Sequence, residues 1–167
     1  MGCLGVHFAL DEKEVLRLTS LSSDEARLEH LSNDLEEDYF ESQPHWLAQS
    51  DKAWDAIHRS LTDGRMGWDN GTFPLSHVIM GGQSLYRFDD YIIVLKTPKE
   101  VTEIAAALTN VKGDEFRRNY FQIDPDDCGF PINQDDYEYT WRYFQDVRDL
   151  YLRAAHAGRY VLFTASQ

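Results

Sequence analysis

Large apolar residues occupy every second position from residue 4 to residue 10. This alternation is typical of a β-strand with one buried face, and it predicts that His7 points to the opposite face of the sheet. Two later segments, 91–95 and 160–164, are apolar and rich in β-branched or aromatic residues. They predict two further strands, because such side chains pack well on a pleated surface.

Elsewhere the apolar residues recur at spacings of three and four, which predicts amphipathic helices. Residue types that cap helix N-termini precede these segments. The predicted caps are Asp11, Ser23, Ser50, Thr97, Asp114 and, for the longest helix, Asp135 or Asp136. The clearest start is at residues 97–100, where a hydroxyl cap, a proline in the first turn and a reciprocal glutamate occur together.

Segments 65–73 and 123–134 are rich in turn-forming residues and predict loops, and the sequence contains no internal repeat, low-complexity tract or linker. A chain of 167 residues is long enough to bury a core without disulfides or metal ions. We therefore expect residues 1–167 to form a single compact α+β domain, with several helices packed on a small mixed or antiparallel sheet.

The composition argues against a disordered or membrane protein. Aromatic residues make up 13% of the chain, which is too many for a disordered acidic sequence. No apolar stretch approaches the roughly 18 residues of a membrane span, and the first residues lack the basic start and apolar centre of a secretory signal. We expect a cytoplasmic protein that binds no membrane, with Cys3 and Cys128 as free thiols.

The charge of the chain is strongly negative, with 29 acidic and 16 basic residues and a net charge of −13. Such a surface repels phosphate backbones, so we expect no nucleic-acid binding. Residues 1–50 carry −8 of this charge, and the dense acidic run at 34–41 includes two aromatic residues. The run is either a solvated face or a docking surface for a basic protein partner. The candidate protein-binding residues are Glu36, Glu37, Asp38, Tyr39, Phe40 and Glu41.

A glycine pair, Gly81 and Gly82, precedes the strand predicted at 91–95. A phosphate-binding loop needs successive amides that point inward, usually at a helix N-terminus, and a P-loop adds a lysine directly after the glycine. Here Gln83 follows Gly82. The pair therefore favours a backbone turn over a loop that holds a ligand.

The histidines and aromatic residues give no strong signal of chemistry. No two histidines have the i, i+4 spacing of a helical metal site, so we expect no metal and no cofactor. Ser76 and His77 are neighbours, but adjacent side chains diverge on a helix or strand, so we expect no nucleophile and base pair there. We expect four aromatic residues to belong first to the core, with a pocket lining as the alternative. They are Trp54, Trp68, Tyr137 and Trp141.

Several segments match one known bacterial family in their order along the chain. They are PLSH at 74–77, MGGQSL at 80–85, VL at 94–95, EV at 100–101 and AAAL at 105–108. The match extends back to a predicted helix that contains Trp54, Ile57, His58 and Leu61 and is closed by Gly64. On these residues the sequence resembles the YfbM-like bacterial family, domain of unknown function 1877. The resemblance covers most of the chain, implies a compact α+β domain, and brings no settled activity.

Two functions from different classes remain open at this point. The first is a non-catalytic protein-binding module, of inhibitor or immunity type, that engages a basic partner through its acidic surfaces. The second is an enzyme or ligand sensor that binds a small polar metabolite in a pocket. The candidate pocket residues are Trp54, His58, His77, Gly81, Gly82, Gln83, Ser84 and Trp141.

Overall fold

The computed structural model of the chain describes residues 4–166, so the prediction of a free thiol at Cys3 lies outside the described residues. Its helices and strands are distributed along the whole described length. In chain order they are β1 (Gly5–Leu10), α1 (Glu12–Ser20), α2 (Asp24–His30), a π-helical stretch (Leu31–Leu35), α3 (Glu36–Ser42), β2 (Leu47–Asp51), α4 (Trp54–Leu61), β3 (Gln83–Ser84), β4 (Tyr91–Lys96), α5 (Pro98–Thr109), α6 (Gly113–Phe121), α7 (Gln134–His156) and β5 (Tyr160–Ser166).

The strands form one five-stranded sheet in the order β2-β1-β5-β4-β3. Every pairing in it is antiparallel, so of the two sheet types expected from the sequence the antiparallel one is present. β1 and β4 both pair along β5, which places the closing strand of the chain at the centre of the sheet. The fold is therefore α+β, as predicted.

Helices cover both faces of the sheet, and the molecule has three layers. Segments α1 to α3 lie on one face, against Val6, Phe8 and Leu10 of β1. Segments α4 to α7 lie on the other, against a core that includes Ala9 of β1 and Phe163 of β5. The expectation of a strand with one buried face is thus wrong for β1, because a second layer of helices buries the opposite face as well.

The layer from α1 to α3 begins and ends as its sequence predicts. Asp11 caps α1 by accepting a hydrogen bond from the amide of Glu14 at 2.9 Å. Ser23 caps α2 by accepting from the amide of Ala26 at 3.1 Å. From there the helix continues through the π-helical stretch into α3, and it ends at Ser42, two residues before a proline that cannot continue it.

The other helical layer contains the longest helix, α7, with 23 residues. Its cap is Asn133, whose side chain accepts from the amide of Asp136. The cap therefore lies two residues before Asp135, the nearer of the two predicted caps, and both aspartates lie in the first turn. α5 has the predicted capping box, in which Thr97 and Glu100 exchange backbone and side-chain hydrogen bonds. Among residues 4–166, no helix is both long enough and apolar enough to span a bilayer.

The segment before α4 differs from its prediction. Residues 47–51 form strand β2, so Ser50 lies in a strand, and the helix begins at Trp54 after Ala53. β2 is a short edge strand of mixed polarity, LAQSD, and it has no apolar run that would reveal it. β3 has only two residues and was missed for the same reason.

Candidate functional site

The turn that contains the glycine pair packs tightly against its neighbours. Gly82 has a φ of +122°, and a Cβ atom there would lie 2.6 Å from the carbonyl oxygen of Leu95. A Cβ atom on Gly81 would collide with the imidazole ring of His77. Gly82 is therefore required by its backbone conformation and Gly81 by the packing of His77, as expected for a tight turn.

The two polar residues after the glycines form strand β3. Gln83 pairs with Leu95, and Ser84 pairs with Val94. The Ser84 hydroxyl donates a 2.8 Å hydrogen bond to the carbonyl oxygen of Tyr86. Ser84 thus has a local structural partner, and ligand binding by either residue stays a prediction.

Beneath this turn, three buried side chains donate hydrogen bonds to successive backbone carbonyl oxygens. The Tyr151 hydroxyl lies 2.8 Å from Val78 O, and His7 Nε2 lies 3.1 Å from the same oxygen. Lys96 Nζ donates to Ile79 O at 2.5 Å. We call His7, Lys96 and Tyr151 the carbonyl cluster. It joins β1, β4 and α7 to the turn.

Burial determines the charge of the carbonyl cluster. Desolvation lowers the pKa of Lys96 to about 7. Desolvation, assisted by the nearby Lys96 ammonium, lowers the pKa of His7 to about 3, so this imidazole is neutral at physiological pH. Burial also raises the pKa of Tyr151 well above its usual value. The cluster supplies hydrogen-bond donors to the carbonyl oxygens of Val78 and Ile79. Lys96 was not among the candidate residues, because a lysine at the end of an apolar strand is usually exposed.

His58 anchors the loop that follows α4. Its Nε2 donates to Asn70 Oδ1 at 2.9 Å, and Asn70 in turn donates to Asp63 and to the carbonyl of Arg65. Burial lowers the pKa of His58 below its ordinary value. This arrangement agrees with a buried histidine that has a hydrogen-bonded ring nitrogen.

His77 lies in a 3₁₀ turn, Leu75–His77, beside the aromatic ring of Phe73. Its Nδ1 is 3.0 Å from Ser76 Oγ, so the expectation that these neighbouring side chains diverge is wrong. Ser76 is itself buried, and this contact packs the turn.

A cavity of about 270 Å³ opens near Trp54, between α4 and two surface loops. We call it the aromatic pocket. Trp54, Trp68, Phe88, Met66, Met80 and Asp89 all line it. Trp68 is 51% exposed, so the expectation that it belongs first to the core is wrong.

The structure separates the residues that the sequence analysis grouped as one pocket. Within the described residues, Trp54 is the member of that group that lines the aromatic pocket. Trp141 packs instead against Phe116 of α6 and Phe144 of α7. Phe88 and Asp89 were missed, because a hairpin loop shows no periodicity that would mark them.

The acidic charge of the chain is concentrated in one layer. Residues 11–43, which form α1 to α3 and their connections, contain 11 acidic and 3 basic residues, a net charge of −8 out of −13. We call this the acidic layer. The excess of acidic residues in this part of the sequence therefore lies on one face of the folded molecule.

The candidate docking residues on α3 differ in exposure. Glu37, Asp38 and Glu41 are exposed, and Phe40 is 43% exposed. Tyr39 is buried against Phe8 and donates to the carbonyl of Ala9, so its inclusion as a contact residue is wrong. The helical period turns Tyr39 inward.

Glu36 is the remaining candidate on α3, and it faces the sheet. It is half-buried, and its Oε1 accepts a 3.2 Å hydrogen bond from the Tyr91 hydroxyl. Burial raises the pKa of Glu36 above its ordinary value. Residues 4–166 contain no group of three or more His, Cys, Asp or Glu side chains placed to hold a metal ion.

Comparisons with known proteins agree on the fold. No curated protein matches the chain. The crystal structure of a protein of unknown function, YfbM from Escherichia coli, superposes with a TM-score of 0.66 at 18% identity. The match covers 97% of this chain and 99% of that one, and at this identity it shows the fold. The profile of a family described as a domain of unknown function, DUF1877, matches residues 1–164. The chain therefore belongs to the DUF1877 family.

Proposed function

We propose that this protein is a non-catalytic binding module that docks a basic protein partner on its acidic layer, as an inhibitor or immunity protein does. The observation that carries the proposal is the concentration of a net charge of −8 on residues 11–43, on one face of the sheet. A one-signed face of this kind steers an oppositely charged protein into a defined orientation.

The exposed surface of α3 has the composition of an interface centre. Phe40 lies between Asp38 and Glu41 in the sequence, and all three are exposed. Partly exposed aromatic residues are enriched at interface centres, where a partner can bury them. The surrounding carboxylates would pair with lysine or arginine side chains at the rim of the contact. Phe40 would make the apolar contact, and the carboxylates would orient the basic partner on the surface of α3.

A matched pair of charge variants tests the proposal. One variant carries Glu37→Lys, Asp38→Lys and Glu41→Lys on the acidic layer. The control carries Glu103→Lys, Glu115→Lys and Asp149→Lys, three exposed acids of the opposite helical layer, and has the same net charge. Each protein is immobilised and exposed to a lysate of the source organism, and captured proteins are identified by mass spectrometry.

We expect the unmodified chain and the control variant to capture the same basic protein, and the α3 variant to lose it. With that protein purified, titration calorimetry should show that its Kd weakens as salt rises from 0.1 M to 1 M, because the Debye length falls from about 10 Å to about 3 Å. Phe40→Ala should weaken the same complex. Equal loss in both charge variants, or no protein retained by the unmodified chain, would contradict the proposal.

A further inference from the structure

We propose that the aromatic pocket binds a small organic cation with a methylated ammonium head group. The pocket belongs to the helical layer opposite the acidic layer, so this site goes beyond the proposed protein docking. Loss of one activity would leave the other intact.

Three aromatic side chains from separate parts of the chain meet at this cavity. Trp54 of α4 lies at its inner side and is 5% exposed. Trp68, from the loop after α4, and Phe88, from the β3–β4 hairpin loop, are 51% and 56% exposed. Two large aromatic residues are therefore left open to solvent on different loops that border one cavity. A ligand in the cavity would cover apolar surface that folding alone leaves exposed.

The chemistry of the lining favours a cation over a neutral or anionic guest. Aromatic faces carry negative electrostatic potential and attract ammonium groups, tryptophan most strongly. Asp89 is the charged residue that lines the cavity, and it adds a negative charge. The basic residue nearest to it in sequence, Arg87, donates a 2.9 Å hydrogen bond to Asp24 of the acidic layer and does not line the cavity.

The remaining lining explains why the head group should be methylated. Met66 and Met80 contribute flexible, polarisable thioethers, which adapt to rounded apolar groups. A bare ammonium needs hydrogen-bond acceptors for its protons, whereas a quaternary ammonium presents methyl groups that aromatic and thioether surfaces can cover. The volume of about 270 Å³ suits a metabolite, since it lies just below the roughly 300 Å³ of the smallest drug-sized sites.

Choline and a neutral analogue of the same shape provide the test. In 3,3-dimethylbutan-1-ol, carbon replaces the charged nitrogen of choline. Titration calorimetry and tryptophan fluorescence would follow the binding of each compound, with tetramethylammonium as a third probe. We expect choline and tetramethylammonium to bind with Kd between about 10 μM and 1 mM, and the neutral analogue to bind at least tenfold more weakly.

Variants then locate the binding in the aromatic pocket. Trp68→Ala and Phe88→Ala should each weaken choline binding about tenfold, while Trp68→Phe retains most of it. Asp89→Asn should weaken the two cations and leave the neutral analogue unchanged. Leu152→Ala, at an exposed apolar position on α7, is the matched control and should bind as the unmodified chain does. Thermal melting confirms that each variant is folded.

Three results would overturn the inference. The first is equal affinity for choline and its neutral analogue, because binding would then not depend on charge. The second is full binding by Trp68→Ala and Phe88→Ala, which would place the site elsewhere. The third is the absence of binding by either cation at concentrations up to about 10 mM, well above the expected Kd range.

Discussion

Lys96 places an amine inside the protein core, where its Nζ donates to the carbonyl oxygen of Ile79 and lies 5.5 Å from the centre of the Phe163 ring. Its pKa of about 7 results from desolvation, which outweighs the favourable charge of nearby Glu100. The ordinary pKa of a lysine is near 10.4. Between these two values the unfolded chain holds a proton that the folded chain lacks, so the contribution of Lys96 to the unfolding free energy rises with pH.

We predict that the unfolding free energy of the unmodified chain rises with pH relative to that of Lys96→Met. Between pH 7 and pH 10 the difference should change by on the order of 3 kcal/mol, because the folded state is relieved of a buried charge. Urea unfolding across this range measures it. His7, with a pKa of about 3, titrates outside the window and does not contribute.

Lys99→Met is the control, since Lys99 is exposed in the first turn of α5. Its difference from the unmodified chain should stay constant across the same range. A constant difference for Lys96→Met as well would show that the buried amine does not titrate near neutral pH.

Single residues were predictable from the sequence where their role is local. Thr97 and Glu100 form the capping box that their spacing indicates. Lys96 and Trp68 were not predictable, since the burial of one and the exposure of the other depend on which segments pack around them. A local pattern contains no information about such distant neighbours.

At the level of elements, the turn before β3 connects the loop after α4 to the sheet. Gly82 holds this junction at a backbone conformation that other residues rarely adopt, directly against β4. The carbonyl cluster holds the same turn through hydrogen bonds to the backbone carbonyl oxygens of Val78 and Ile79. A change at Gly82 therefore strains a segment that cannot relax.

We predict that Gly82→Ala lowers the unfolding free energy by about 2–4 kcal/mol, because the new Cβ meets Leu95 O and the positive φ is strained. The thermal midpoint should fall by roughly 5–15 °C. Gly129→Ala is the matched control, since a Cβ there meets no atom within 4 Å, and its midpoint should barely change. Equal midpoints for the two variants would refute the role of Gly82.

Element prediction succeeded for strands with long apolar runs and failed for short ones. β1, β4 and β5 were expected because each has five or more residues suited to a strand. The sequence predicts a helix capped by Ser50 at this point, whereas LAQSD forms strand β2 by pairing with β1. Short edge strands owe their conformation to their partner.

At the level of the whole molecule, the three-layer arrangement converts an uneven charge along the chain into one acidic face. The acidic layer holds −8 of the net charge of −13 on residues 11–43. Like charges that folding brings together repel, and dissolved salt screens this repulsion. Folding is thus expected to be favoured by moderate ionic strength.

We predict that raising NaCl from 0.01 M to about 0.3 M increases the thermal midpoint by roughly 2–5 °C. Neutralising the acidic layer with Glu37→Gln, Asp38→Asn and Glu41→Gln should reduce this gain. The comparison variant, Glu103→Gln with Glu115→Gln and Asp149→Asn, should reduce it less, because those acids are not in the layer of highest charge. A midpoint that falls with salt, or equal reductions in both variants, would contradict the prediction.

The sequence by itself determined the three long strands and the helix starts capped by Asp11, Ser23 and Thr97. Each of these depends on neighbours within a few residues, so local spacing and backbone sterics suffice. Only the tertiary structure decided that the sheet is covered on both faces and that Trp54, Trp68 and Phe88 border one cavity. The distances between such residues depend on how whole helices and loops pack. The spacing of apolar and polar residues along the chain does not specify that packing.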